Sequence, residues 1–146
     1  MPPKDFKDVE RACDAFGTCR LNSNFMPHKC IVSGWGATQT NPSVYPRFQN
    51  WAQVRIWKKK KCRGYVGPSL ISKTVCAGNS KRFTARVCHG DSGGPLACVK
   101  KGAMILVGIT SFGFECKETL ENKRPPSLFT RVTQYVDWIN QYTVIT

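Results

Sequence analysis

Apolar residues along this chain recur mostly at alternate positions or in short runs, which is the pattern of strands. Cys30 to Ser33 is a short apolar run that stops at Gly34-Trp35-Gly36. From Phe48 to Trp57, Phe48, Ala52, Val54 and Ile56 alternate with Gln49, Gln53 and Arg55, so one face of a strand turns inward. Trp51 and Trp57 fall in the same stretch and read as strand residues packed on the body of the domain. Ala103 to Thr110 and Ser127 to Val132 are two further apolar runs, and Asn/Pro/Gly-rich or charged loops separate them all. Short strands with frequent turn signals predict an antiparallel barrel or sandwich. Only the C-terminus changes period. Beyond Thr133, a candidate cap, Tyr135, Val136, Ile139 and Tyr142 oppose Gln134, Asp137 and Asn140, predicting an amphipathic helix across the domain. No repeat or linker interrupts the chain, so residues 1–146 read as one domain.

Composition narrows the class. With 41% hydrophobic and 21% charged residues the chain is too apolar for a disordered tail, in spite of a formal charge of +13. Eight cysteines in 146 residues suit an oxidised framework and a secreted protein. The start, MPPKDFKDVERACDAF, has no apolar signal core, and no stretch approaches the length of a membrane span. The simplest resolution is that these residues are the later part of a longer secreted precursor. Consecutive cysteines stand 6, 11, 32, 14, 12, 10 and 18 apart, with none of the close pairs that a structural zinc site uses, so no metal is expected. Asn41 precedes Pro42, which removes the one near-sequon.

The most informative stretch is Gly90-Asp91-Ser92-Gly93-Gly94-Pro95. A serine hydroxyl is a poor nucleophile unless a base takes its proton and N–H groups stabilise the oxyanion. Glycines beside the serine let the backbone turn sharply enough to aim two N–H groups at one spot.

Together with Cys30 to Gly36, Cys76-Ala77-Gly78, Ser111-Phe112-Gly113 and Tyr135 to Ile139, this stretch resembles the chymotrypsin/trypsin family of serine endopeptidases, in order, from about residue 13 to 143. The resemblance implies an all-β fold, the antiparallel Greek-key six-stranded second barrel of that family with a C-terminal α-helix, and proteolysis through an acyl-enzyme without a cofactor. It implies Ser92 as nucleophile, the N–H groups of Gly90 and Ser92 as oxyanion hole, and Asp91 as the carboxylate that pairs with a new α-amino group after zymogen cleavage. Ser111, Phe112 and Gly113 resemble the edge strand that pairs with an extended peptide substrate. Arg86, Val87, His89 and Ser127 fall where the family lines its primary pocket. The implied disulfides are Cys30 with Cys98, Cys62 with Cys76, and Cys88 with Cys116. Cys13 and Cys19 are left to pair with each other, or Cys13 resembles the family cysteine that tethers the catalytic chain to an upstream segment.

Departures from the pattern carry equal weight. The family's histidine and aspartate belong to a first barrel, and neither His28 nor His89 lies in a motif like that of the catalytic histidine. Loss of one triad member leaves a residual of only about 10³–10⁴ over water in that family, so the isolated chain is expected to be inert. Arg86 stands where trypsin-like members carry an aspartate, and Ser127 where a wall glycine is usual. An arginine there repels a substrate lysine or arginine, and attracts an acidic side chain, plugs the pocket, or turns outward in another loop register. Expected partners are a peptide or protein substrate, the missing first barrel and protease inhibitors. Lys58, Lys59, Lys60 and Lys61 with Arg63, and Lys100 with Lys101, are either solvated loops or a polyanion contact. The competing function is a catalytically silent homologue that serves as a binding or regulatory module.

Overall fold

The computed structural model describes residues 30–40, 42–78, 86–100, 103–113 and 125–143. Its strands are β1 (Cys30–Gly34), β2 (Gln39–Thr40), β3 (Ser43–Val44), β4 (Asn50–Ile56), β5 (Thr74–Gly78), β6 (Pro95–Lys100), β7 (Ala103–Gly113) and β8 (Ser127–Arg131). One helical turn, α1 (Lys59–Cys62), follows β4, and α2 (Val136–Tyr142) follows β8. β2 and β3 form a small hairpin; the other strands close a six-stranded antiparallel barrel in the order β1-β4-β5-β8-β7-β6. The barrel arrangement decides between the two architectures that strand pattern alone allows.

Alternation builds the core. Cys30 and Val32 on β1, Val54 on β4, Leu96 and Cys98 on β6, Val107 on β7 and Phe129 on β8 turn inward at every second position, joined by Val75 and Ala77 of β5. β5 is buried on its other face too. There Cys76, with Leu128 of β8, meets Cys62, Val66, Ile71 and Trp57 from the segment that wraps the outside of the barrel. Two disulfides fix these layers. Cys30 and Cys98 face each other across the β1–β6 seam, and Cys62 ties α1 to Cys76 of β5. Cys88 is disulfide-bonded as well; its expected partner Cys116, like Cys13, Cys19 and His28, lies outside the described residues. Arg131 of β8 donates to the Thr74 carbonyl at 2.8 Å, and burial pushes its pKa below the ordinary arginine value.

Several expectations need correction. Phe48 precedes β4 and is 76% exposed, because the strand begins only at Asn50. Trp51 falls on the outward positions of β4 with Gln53 and Arg55, and is exposed rather than packed on the barrel. Thr133 does not cap the C-terminal helix. It lies within a 3-10 turn, Val132–Gln134, and Tyr135 takes the cap position with no side-chain bond. α2 buries none of its residues fully, and Tyr142 is exposed although its spacing put it on the apolar face.

Candidate active site

Two linked tight turns carry the Gly90–Pro95 stretch. Asp91 N–H donates to the Cys88 carbonyl at 3.0 Å, and Gly94 N–H donates to the Asp91 carbonyl at 3.0 Å. In each turn the third residue is glycine with positive φ, +95° at Gly90 and +84° at Gly93. That is the position where a type II turn requires the left-handed region, so the glycines are fixed by backbone geometry. Ser92 is second in the later turn and exposed.

The turns are held from both sides. Gly93 N–H donates to the Thr110 carbonyl at 2.9 Å and Thr110 N–H to the Gly94 carbonyl at 2.8 Å, which docks the loop on β7. On the other side Ala37 N–H donates to the His89 carbonyl at 2.8 Å. In a trans peptide C=O and N–H point in opposite directions, so this anchor aims the Gly90 N–H away from Ala37. Asp91 completes the frame. One of its carboxylate oxygens accepts from Gly36 N–H and the other from Cys88 N–H, each at 2.8 Å. Side chains at Gly34 or Gly36 would overlap this carboxylate, which explains both glycines of Gly34-Trp35-Gly36. Asp91 therefore has two backbone partners, one from the segment after β1 and one from its own loop.

β7 outruns its neighbour. Pairing with β6 ends at Pro95 opposite Ile109, whereas β7 continues beside β8 to Gly113 opposite Ser127. The expected edge strand is thus an overhang of a strand inside the closed barrel. Ser111 is the extra residue of a bulge there, since Thr110 pairs with Phe129 and Phe112 with Leu128. Beneath the overhang runs the Arg86-Val87-Cys88 segment. Val87 is buried, its N–H donates to the Ser127 hydroxyl at 3.4 Å, and its carbonyl lies against Gly113. Arg86 is half-buried, Ser127 buried and His89 exposed.

Ala37 and Thr110 are the site residues that sequence reasoning missed. Both act through backbone atoms, so only turn-and-strand pairing could have revealed them. Among the described residues His89 is the only histidine, Asp91 and Asp137 are the only carboxylates, and no cluster of ligating side chains could hold a metal ion. No helix among them is long and apolar enough to cross a membrane.

Residues 11–139 match the family model described as Trypsin. The chain is 40% identical over 113 residues to human Kallikrein-8, covering 77% of this chain and 40% of that protein. It is 39% identical over 115 residues to the human hepatocyte growth factor activator serine protease, covering 77% of this chain and 17% of that protein. Among solved structures it resembles neuropsin, a serine protease expressed in the limbic system of mouse brain, with a TM-score of 0.65 and 36% identity over 80% of this chain and 48% of that one. The chain thus spans less than half the length of each of these relatives.

Proposed function

Because the chain belongs to the trypsin family of serine proteases, we propose that Ser92 is the nucleophile of a secreted serine endopeptidase whose histidine and aspartate come from a first barrel beyond this sequence. The observation that supports the reading is the pinned turn pair: an exposed Ser92 in the turn that follows Gly90, whose N–H the His89 anchor aims away from Ala37. In the completed enzyme the histidine takes the Ser92 proton as Oγ attacks the scissile carbonyl. The Gly90 and Ser92 N–H groups stabilise the oxyanion, the leaving amine receives the proton, and water then releases the acyl group. Asp91 keeps the loop in shape, and a newly made α-amino group joins its two backbone donors on activation. Backbone groups of Ser111–Gly113 pair with the extended substrate, or with an inhibitor that imitates it. Arg86, Val87, His89 and Ser127 line the primary pocket. By itself the 146-residue chain is expected to be inactive, since neither His28 nor His89 lies in a motif like that of the family's catalytic histidine.

An active-site fluorophosphonate tests this directly. It is expected to label Ser92 when the first barrel is co-expressed and activation cleavage has made the new α-amino terminus, and to label neither the Ser92→Ala variant nor the isolated chain. Stoichiometric labelling of the isolated chain would mean that a base, His28 or His89, lies within it. The second reading, a silent homologue that binds polyanions or regulates a partner, is favoured by Arg86, and failure to label the completed and activated protein would select it.

A further inference from the structure

The charges of this chain are segregated. Residues 15–90 contain no aspartate or glutamate, yet include Lys58-Lys59-Lys60-Lys61 and Arg63. All five of these cations are exposed. Asp91, one of the two described carboxylates, has both oxygens engaged by Gly36 and Cys88. α1 nevertheless packs three of the lysines into one turn, with a fourth at its N-cap, no acidic residue in its first turn and no side-chain cap. Like charges packed at helical spacing oppose helix formation, although in so short a turn the same lysines also stand at its C-terminal end, where cations are favourable. What holds the turn is Cys62, its one buried residue, bonded to Cys76. Of these five cations only Lys61 has a side-chain partner among the described residues, the Trp57 ring, so the fold leaves the rest of the stapled array to solvent.

We infer that the Lys58–Arg63 surface binds a linear sulfated polysaccharide. The disulfides belong to an oxidising compartment, where such glycans are the abundant polyanions. The cations follow one another along the chain and are all exposed, which suits sulfates repeated along a polymer. Nucleic acid fits less well. Single-strand binders stack bases on open aromatic faces, and the nearby Trp57 ring is covered by Lys61 Nζ, 3.8 Å from its centroid, with Tyr65 edge-on at 5.6 Å. Lys61 is therefore spent partly on Trp57, and Lys58, Lys59, Lys60 and Arg63 carry the contact. The inference uses none of the residues that hold the Gly90–Pro95 turns, and it stands whichever way catalysis is decided.

The test is heparin binding by the oxidised full chain across a salt series. Replacing Lys58, Lys59, Lys60 and Arg63 with Gln is expected to lower the slope of log K against log salt by about 3, since each lost ionic contact contributes roughly 0.7–0.9. Affinity near 0.1 M salt falls roughly 10²–10³-fold with it. The pair Lys59→Gln/Lys60→Gln should lose about half that slope, and Lys→Arg replacements should keep it. Peptide mapping of the Cys62–Cys76 bond verifies that each variant is folded. An unchanged slope in either Gln variant overturns the proposal. So does equal binding of desulfated heparin, of single-stranded DNA or of polyglutamate.

Discussion

A methyl group at Gly36 would share the space of the Asp91 carboxylate, whereas one at Gly67 would meet nothing within 4 Å. Gly36→Ala should therefore destabilise the fold by about 1–3 kcal/mol, the usual range for forced overpacking. Gly67→Ala should leave the urea midpoint unchanged, and equal midpoints for the two variants would show that Asp91 does not need the Gly36 seat. Arg86 makes a different kind of prediction, one that rests on the proposed protease reading. A substrate lysine or arginine brought to about 6 Å from its guanidinium is repelled by roughly 3 kcal/mol at an effective dielectric near 20. That is about a hundredfold in kcat/KM. With matched substrates that differ only at P1, the completed enzyme should cleave poorly after basic residues, and Arg86→Asp should restore that cleavage. Efficient cleavage after arginine by the unaltered enzyme would remove Arg86 from the pocket.

Among the elements, the segment that bears α1 depends most on a single bond. Cys62 and Cys76 close a loop with a sequence separation of 14, a size for which the chain-entropy model gives about 3 kcal/mol. The double variant Cys62→Ala/Cys76→Ala should lose about that much stability. It should also expose the 57–73 segment to hydrogen exchange ahead of the barrel strands; uniform loss of protection would contradict a locally stapled element. The same element explains where the sequence was silent. Four lysines carry no apolar period, so nothing marked Lys59–Cys62 as helical. β5 gave no alternation because both its faces are buried, one in the barrel and one under Trp57 and Val66. β6 begins at a proline and ends at a lysine, and its pairing shifts at Leu96/Ala97 because β7 bulges there. A bulge belongs to two strands at once, so no single stretch announces it. By contrast β1, β7 and β8 lay close to the apolar runs that suggested them, since there one face decides which residues can stand. At the site, Gly90 and Gly93 were legible because a turn of this type tolerates little else. Ala37 and Thr110 were not, because a backbone donor can belong to any residue except proline.

At the scale of the whole molecule, the barrel is a ring of six strands whose last contact is the β1–β6 seam. The bond across it, Cys30 to Cys98, spans 68 positions, and the Cys62–Cys76 bond lies wholly inside that span. In covalent terms the chain is one loop nested within another. A protease that cuts after any of the exposed lysines 58–61 opens the outer loop and leaves the inner one closed. Limited digestion with trypsin should thus give a product that migrates as one species without reductant and as two pieces with it. Two pieces without reductant would mean that the Cys30–Cys98 bond is not formed. Wherever a protease meets the chain this has a practical meaning: a nick in the lysine turn interrupts the backbone without dividing the molecule. Gly90–Pro95 and the strands that hold it stay within one covalent body until the surroundings become reducing.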